Sequence, residues 1–231
     1  MAWLKGYLSE EKEKIVGLPT AREKAEYIWT YYKLWIIGAV ALVWFVSFAV
    51  WRFFFVPRDN WFFAVFANTY SEQGAEGSEL WQDFVDYAGY NPEEKKVAFN
   101  NSIFFDLTQG SSFTSSYYQS FVAFEESGDL DIVTMERRQL AALGATGRLL
   151  DLNNPECAAL RERYADRLVY TEANDEEYSV EPVPVGIDVS DSLLMTKYHL
   201  YGAGDCVLGI GANTGRLDQV ETFLNFIFQE K

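Results

Sequence analysis

Gly128–Asn154 reads "GDLDIVTMERRQLAALGATGRLLDLNN". Residues 129–135, "DLDIVTM", carry Leu130, Ile132, Val133 and Met135 over the length of a short strand. Residues 136–147 are rich in Arg, Gln, Leu and Ala and end on glycine, which reads as a helix with its stop. Leu149, Leu150 and Leu152 then return the chain to an apolar environment. One β-α unit is thus written in 27 residues.

The same unit recurs upstream. "WFFAVFANTY" (61–70) predicts a buried strand, and 78–90 a helix with Leu80, Trp81, Phe84 and Val85 on one face, ended by Gly89. Residues 95–105 predict a second strand. Residues 111–128 predict a helix with a hydroxyl-rich start, stopped by Gly128. This β-α-β-α-β-α order implies an α/β domain with a mostly parallel sheet and helices on its faces. Downstream, a helix is predicted over 154–167 and a hairpin over 168–190 with an acidic tip at Asn174–Glu177. A strand in 206–215 and an amphipathic helix over 216–230 follow, the latter with Val220, Phe223, Leu224 and Ile227 as its stripe.

Ahead of this domain, Leu34 to Trp51 is uncharged throughout, and "FFFV" prolongs the run to Val56 beyond Arg52. Twenty helical residues span about 30 Å, the thickness of a bilayer's hydrocarbon core. Trp29, Tyr32 and Trp35 cluster at one end and Trp51 at the other, as interfacial belts do, with Arg52 able to reach a headgroup layer. The run is longer than a signal-peptide core, and no small-x-small cleavage site follows it. The expected organisation is a cytoplasmic amphipathic segment (1–33), a transmembrane helix (34–56) and an extracytoplasmic α/β domain (57–231). Pro19-Thr20 with Glu23 marks the helix start. Trp3, Leu4, Tyr7 and Leu8 form a short amphipathic stretch before it. Six basic residues precede the span and only Arg52 and Arg58 closely follow it, which places the N-terminus in the cytoplasm and the C-terminal domain outside the cell membrane.

From residue 59 on, 29 acidic residues face 11 basic ones, a formal charge of −18. Such a surface repels phosphate backbones and argues against nucleic acid as a partner, and it attracts cations and basic partners. Cys157 and Cys206 allow one disulfide and read equally as two small buried residues; their apolar contexts favour free thiols.

Motifs for chemistry are few. The single histidine, His199, is too little for a His/Cys zinc site, and no G-x-S-x-G or Walker sequence occurs. "GIGANTG" (209–215) misses the dinucleotide spacing by one residue, and tight turning explains its glycines. Carboxylates are plentiful, but no spacing marks a catalytic pair. No cofactor and no enzyme activity are expected. The functional signal is positional: in open α/β sheets ligands bind beyond the carboxyl ends of the strands. Those ends are Asn68, Thr69 and Tyr70, then Ser111, Ser112 and Thr114, then Met135, Glu136 and Arg137, with helix capping as the alternative role for the serines.

The opening stretch resembles a first-lobe segment of extracellular solute-binding proteins of the type II periplasmic-binding fold. The resemblance is carried by Asp131-Ile132-Val133, Leu140-Ala141, Gly144 and Leu150-Asp151-Leu152, by "VEPVPVGI" (180–187), and by Val220, Phe223, Leu224, Phe226 and Ile227 in the last helix. "AEYIWTYYKLWIIG" (25–38) looks like the membrane entry of small single-pass proteins of Gram-positive bacteria. The resemblance implies a one-lobe binding domain that takes a small solute. It also shows a departure: residues 155–205 leave room for a hairpin and a helix, not for a second lobe, and an apolar helix stands in place of a lipidated cysteine. A single lobe of this kind serves either as a non-enzymatic solute-binding domain or as an interaction subunit docking another membrane or exported protein.

Overall fold

The computed structural model describes residues 16–54, 60–90, 95–107, 112–171, 181–202 and 204–229. The amphipathic stretch at 3–8, Ser111 and the hairpin tip at 174–177 lie outside these residues. The chain divides into two compact units, Met1–Val56 and Pro57–Lys231.

The first unit is dominated by helix α1 (Ala21–Phe54). Thr20 begins it as the capping motif predicts: its Oγ1 accepts the Glu23 amide at 3.3 Å. The 34 residues extend about 50 Å, more than a hydrocarbon core requires. The helix is long and apolar enough to cross a membrane, and none of its most apolar window is buried within the protein. Trp29, Trp35 and Trp51 are 60%, 79% and 56% exposed, which distinguishes α1 from a core helix. Tyr32 lies between the first two tryptophans on the helix, and Arg52 falls in the last turn, its side chain outside the described set.

The second unit is a three-layer α/β/α domain. Its elements are β1 (Asn60–Phe66), α2 (Glu79–Ala88), β2 (Lys96–Asn100), α3 (Ser116–Glu126), β3 (Ile132–Met135), α4 (Arg137–Ala145), α5 (Ala158–Arg163), β4 (Leu168–Tyr170), β5 (Pro184–Asp188), α6 (Leu193–Thr196), β6 (Val207–Ile210) and α7 (Leu217–Ile227). Strand β1 explains the layering. Phe62, Ala64 and Phe66 point to one face, where Leu80 and Phe84 of α2 and Phe223 of α7 pack. Phe63, Val65 and Ala67 point to the other, under Phe121 of α3 and Leu140 and Leu143 of α4. A strand covered on both faces loses polar alternation, which is why β1 reads as an unbroken apolar run.

The sheet order is β2-β1-β3-β6-β5-β4. The first three strands pair in parallel, as the β-α alternation implies. The expectation of a mostly parallel sheet is corrected beyond β3: β6 is antiparallel to both β3 and β5, and β4 is antiparallel to β5. The reason is local. The chain from β5 to β6 never crosses to the far end of the sheet: the Val189 amide bonds the Cys206 carbonyl at 2.9 Å, and the Cys206 amide bonds Ser190 Oγ at 3.0 Å. Its two ends therefore pair with each other, and an antiparallel return follows. The β4–β5 hairpin forms as predicted, with Leu168 opposite Ile187 and Val169 opposite Gly186.

Two glycines set the distance between α4 and the sheet. Gly186 and Gly209 face each other across β5 and β6. A Cβ on Gly186 would collide with Leu140 Cδ2 and stand 2.8 Å from Val207 Cγ1. A Cβ on Gly209 would stand 2.9 Å from Leu149 Cδ1. Of the glycines of "GIG", Gly209 thus serves close packing under Leu140 and Leu149, whereas a Cβ on Gly211 would collide with the Leu130 carbonyl ahead of β3. The second apolar patch of the opening stretch runs across the strand ends, where the Leu150 amide bonds the Ile210 carbonyl and the Leu152 amide bonds the Pro184 carbonyl. Cys157 and Cys206 are buried, unbridged thiols. The short helix α6 had no sequence signal; Ser192 caps it.

Candidate functional site

Beyond Phe66 the chain leaves β1 through Ala67, whose amide still bonds the Thr134 carbonyl at 3.0 Å. Asn68 then turns in the left-handed conformation (φ 59°), a region that asparagine tolerates better than most residues. Its amide group clamps Phe105 in both directions: Nδ2 donates to the Phe105 carbonyl at 2.8 Å, and Oδ1 accepts the Phe105 amide at 2.9 Å. The exit from β2 is thereby fixed beside the end of β1. Thr69, buried, donates to the Leu200 carbonyl and fixes the segment before β6 on the other side.

Tyr201 completes the floor. Its hydroxyl lies 2.8 Å from the Ala67 carbonyl, 2.6 Å from the Thr134 carbonyl and 3.0 Å from Thr134 Oγ1. A phenol has one proton, so it donates to one carbonyl at a time and accepts from the threonine hydroxyl. Burial pushes its pKa well above the usual tyrosine value, so it remains a phenol.

Between these loops lies an open cleft of about 510 Å³ at the carboxyl ends of β1 and β3, in the size range of small-ligand sites. Asn68, Tyr70 and Glu136, three of the residues expected there, line it. Tyr70 is 92% exposed, its ring 5.0 Å from that of Phe104. Thr69 lines an adjoining hollow of about 380 Å³ with His199. Arg137 faces a further hollow of about 480 Å³, where it pairs with Asp188 and, at 3.4 Å, with Asp205.

Two expectations are corrected. Met135 is fully buried: it shares a face with Val133 and packs in the cluster that holds Leu140 and Val207, so the strand's working end begins at Glu136. The helix after β2 is capped by Ser115, whose Oγ accepts the Tyr118 amide at 3.1 Å. Ser112 and Thr114 belong to a separate 3₁₀ turn, and Thr114 is not among the described residues lining the cleft.

The remaining lining was not read from the sequence. Phe104, Phe105 and Asp106 come from the exit of β2, Gln139 from α4, and Tyr201, Gly202, Gly204 and Asp205 from the approach to β6. Gln139 Nε2 donates to Asp106 Oδ1 at 2.6 Å, and its Oε1 accepts the Leu107 amide at 2.9 Å. Only "YGAGD" (201–205), a glycine-rich phrase next to a strand, carried a signal. Among the described residues no group of three or more His, Cys, Asp or Glu could hold a metal ion.

No protein-family model, no curated protein and no solved structure matches this chain.

Proposed function

We propose that this chain is a membrane-anchored, non-enzymatic binding domain that captures a small solute outside the cytoplasmic membrane, with its N-terminus in the cytoplasm. The observation that carries this reading is the cleft at the carboxyl ends of β1 and β3, bordered by loops fixed through Asn68, Thr69 and Tyr201. A preformed wall of this kind lowers the ordering cost of binding. The phrase resemblance to one lobe of a solute-binding protein points the same way, and a single wall predicts weaker capture than a two-lobed clamp. The cleft carboxylates are placed for binding more than for hydrolysis: Asp106 is tied to Gln139 and Asp205 to Arg137.

The test is a thermal-shift screen of the full chain in micelles against amino acids, sugars, peptides, amines and anions. A true ligand at a hundredfold excess over its dissociation constant adds about 2.7 kcal/mol. Silence across all classes counts against the reading.

A second reading, an interaction subunit that docks another membrane or exported protein, is favoured by the exposed rings beside the cleft. Tyr70, Phe113 and Tyr117 are 92%, 41% and 48% exposed, and Phe104 lies within ring contact of both Tyr70 and Tyr117. Recovery of a stoichiometric crosslinked partner that is lost with Tyr70→Ala would support it.

A further inference from the structure

We propose that the cleft takes an organic cation, a small molecule carrying an ammonium group, held between the carboxylates of Glu136, Asp106 and Asp205 and the rings of Tyr70 and Phe104. This rests on the cleft being a binding site and adds the chemistry that the site accepts.

The side-chain amides of the cleft and its buried phenol are committed to the protein. Asn68 spends its amide on Phe105, and Gln139 on Asp106 and the Leu107 amide. The Tyr201 hydroxyl serves the ends of β1 and β3. Among the described residues no lysine, arginine or histidine lines the cleft, and the Arg137 guanidinium pairs with Asp188 and, at 3.4 Å, with Asp205, which leaves Glu136 and Asp106 as the lining carboxylates outside that pairing. What faces the solvent is therefore carboxylates, π faces and the Tyr70 hydroxyl, with no cationic group among the described lining residues. A phosphate or carboxylate ligand meets only like charge there. An ammonium group finds both partners it needs: carboxylate oxygens that accept its N–H bonds, and exposed aromatic faces whose quadrupole attracts cations. Tyr70 fits the second role, since its ring meets that of Phe104 and it stands almost wholly exposed. The carboxylates are not grouped to hold a bare metal ion, and the cavity of about 510 Å³ admits a cation of molecular size. The formal −18 of the outer chain raises the local concentration of any cation, so the test has to separate the cleft from diffuse charge.

Calorimetric titration of the full chain in micelles at physiological salt, with spermidine, choline and lysine methyl ester as probes and glutarate and inorganic phosphate as anionic arms, makes that separation. At least one amine is expected to bind saturably at one site. Glu136→Gln should weaken it tenfold or more and Tyr70→Ala at least threefold. Asp86→Asn, at an exposed carboxylate outside the cleft lining, should leave it unchanged. Equal losses in Glu136→Gln and Asp86→Asn, or no saturable amine binding, overturn the proposal. Anion binding abolished by a Gly202→Trp plug would overturn the ligand class while leaving the cleft as the site. No probe or screened ligand responding to that plug would remove both.

Discussion

Arg216 Nε donates to both carboxylate oxygens of Asp131, at 2.9 and 3.1 Å, across 85 residues of chain. Asp131 is fully buried and also accepts the Phe63 amide at 2.8 Å and Thr214 Oγ1 at 2.5 Å. Arg216 extends its other arm to the carbonyls of Gly128 and Asp129. One carboxylate thus joins the middle of β1, the start of β3, the exit of β6 and the N-cap of α7. Desolvation by burial raises the Asp131 carboxyl pKa above its ordinary value, against the opposing pull of its donors and of Arg216. This hub holds the end of the sheet opposite the cleft, so the aspartate of the opening stretch is structural and not part of the binding surface.

Asp131→Asn keeps the side chain's size, removes the charge that pairs with Arg216, and replaces one of the two acceptor oxygens with an amide donor, so the donors of Phe63, Thr214 and Arg216 compete for a single oxygen. Breaking a buried pair from one side costs about 3 kcal/mol. The urea midpoint of the full chain in micelles should fall accordingly, whereas Asp86→Asn should change it by less than about 0.5 kcal/mol.

Gly186→Ala places a methyl group against Leu140 and Val207. Overpacking of this kind costs about 1–3 kcal/mol. Leu140→Ala should be costly alone but should recover part of the loss when combined with Gly186→Ala, a coupling that a double-mutant cycle reads directly.

Alkaline pH should unfold the domain before its buried acids ionise in place. Burial raises the Cys206 thiol and the Tyr201 phenol, and burial together with the Asp83 carboxylate pushes Tyr198 up to about 12. Each group is neutral when protonated and has a folded pKa above its unfolded one, so the folded state holds more protons between the two values. Their stabilisation is complete below the unfolded values, about 8.5 for cysteine and 10 for tyrosine, and is lost as pH rises toward the folded ones. The urea midpoint should be flat from pH 7 to 8 and fall above pH 9, less steeply in Cys206→Ala. Both cysteines should label with a thiol reagent only after denaturation, because both are buried and unbridged.

Protease added to intact cells should remove the acidic domain and leave α1 in the membrane, as an external domain requires. Protection in intact cells with digestion only after lysis would reverse the orientation that the basic residues before the span imply.

Much of the layering was legible because β1 and β6 are almost wholly apolar, β3 is broken only by Thr134, and Gly89, Gly128 and Gly147 mark helix exits, each in the left-handed conformation. Strand direction was not legible: "CVLGIG" is buried on both faces whichever way it runs, and the contacts that turn it, Val189 with Cys206 and Ser190 with Cys206, join residues with no pattern between them. The strand-end rule located Asn68, Tyr70 and Glu136 because those residues follow directly on apolar runs. It misjudged Met135, whose place on a four-residue strand decides burial by one position. Gln139 could not be read in advance, since only its hydrogen bonds to Asp106 and the Leu107 amide bring it to the cleft, and Tyr201 and Asp205 were marked only by the glycine-rich phrase that holds them.

The binding account turns on whether the cleft at the ends of β1 and β3 is where a ligand sits. Gly202 lines that cleft, and a Cβ added there meets nothing within 4 Å, so Gly202→Trp should fill the cleft without disturbing the fold. The decisive measurement is the ligand-induced rise in the thermal midpoint of the full chain in micelles, compared between the parent protein and Gly202→Trp for the best ligand of the screen. The account predicts an unchanged midpoint without ligand and loss of the ligand-induced rise in the variant. An undiminished rise in Gly202→Trp would contradict it.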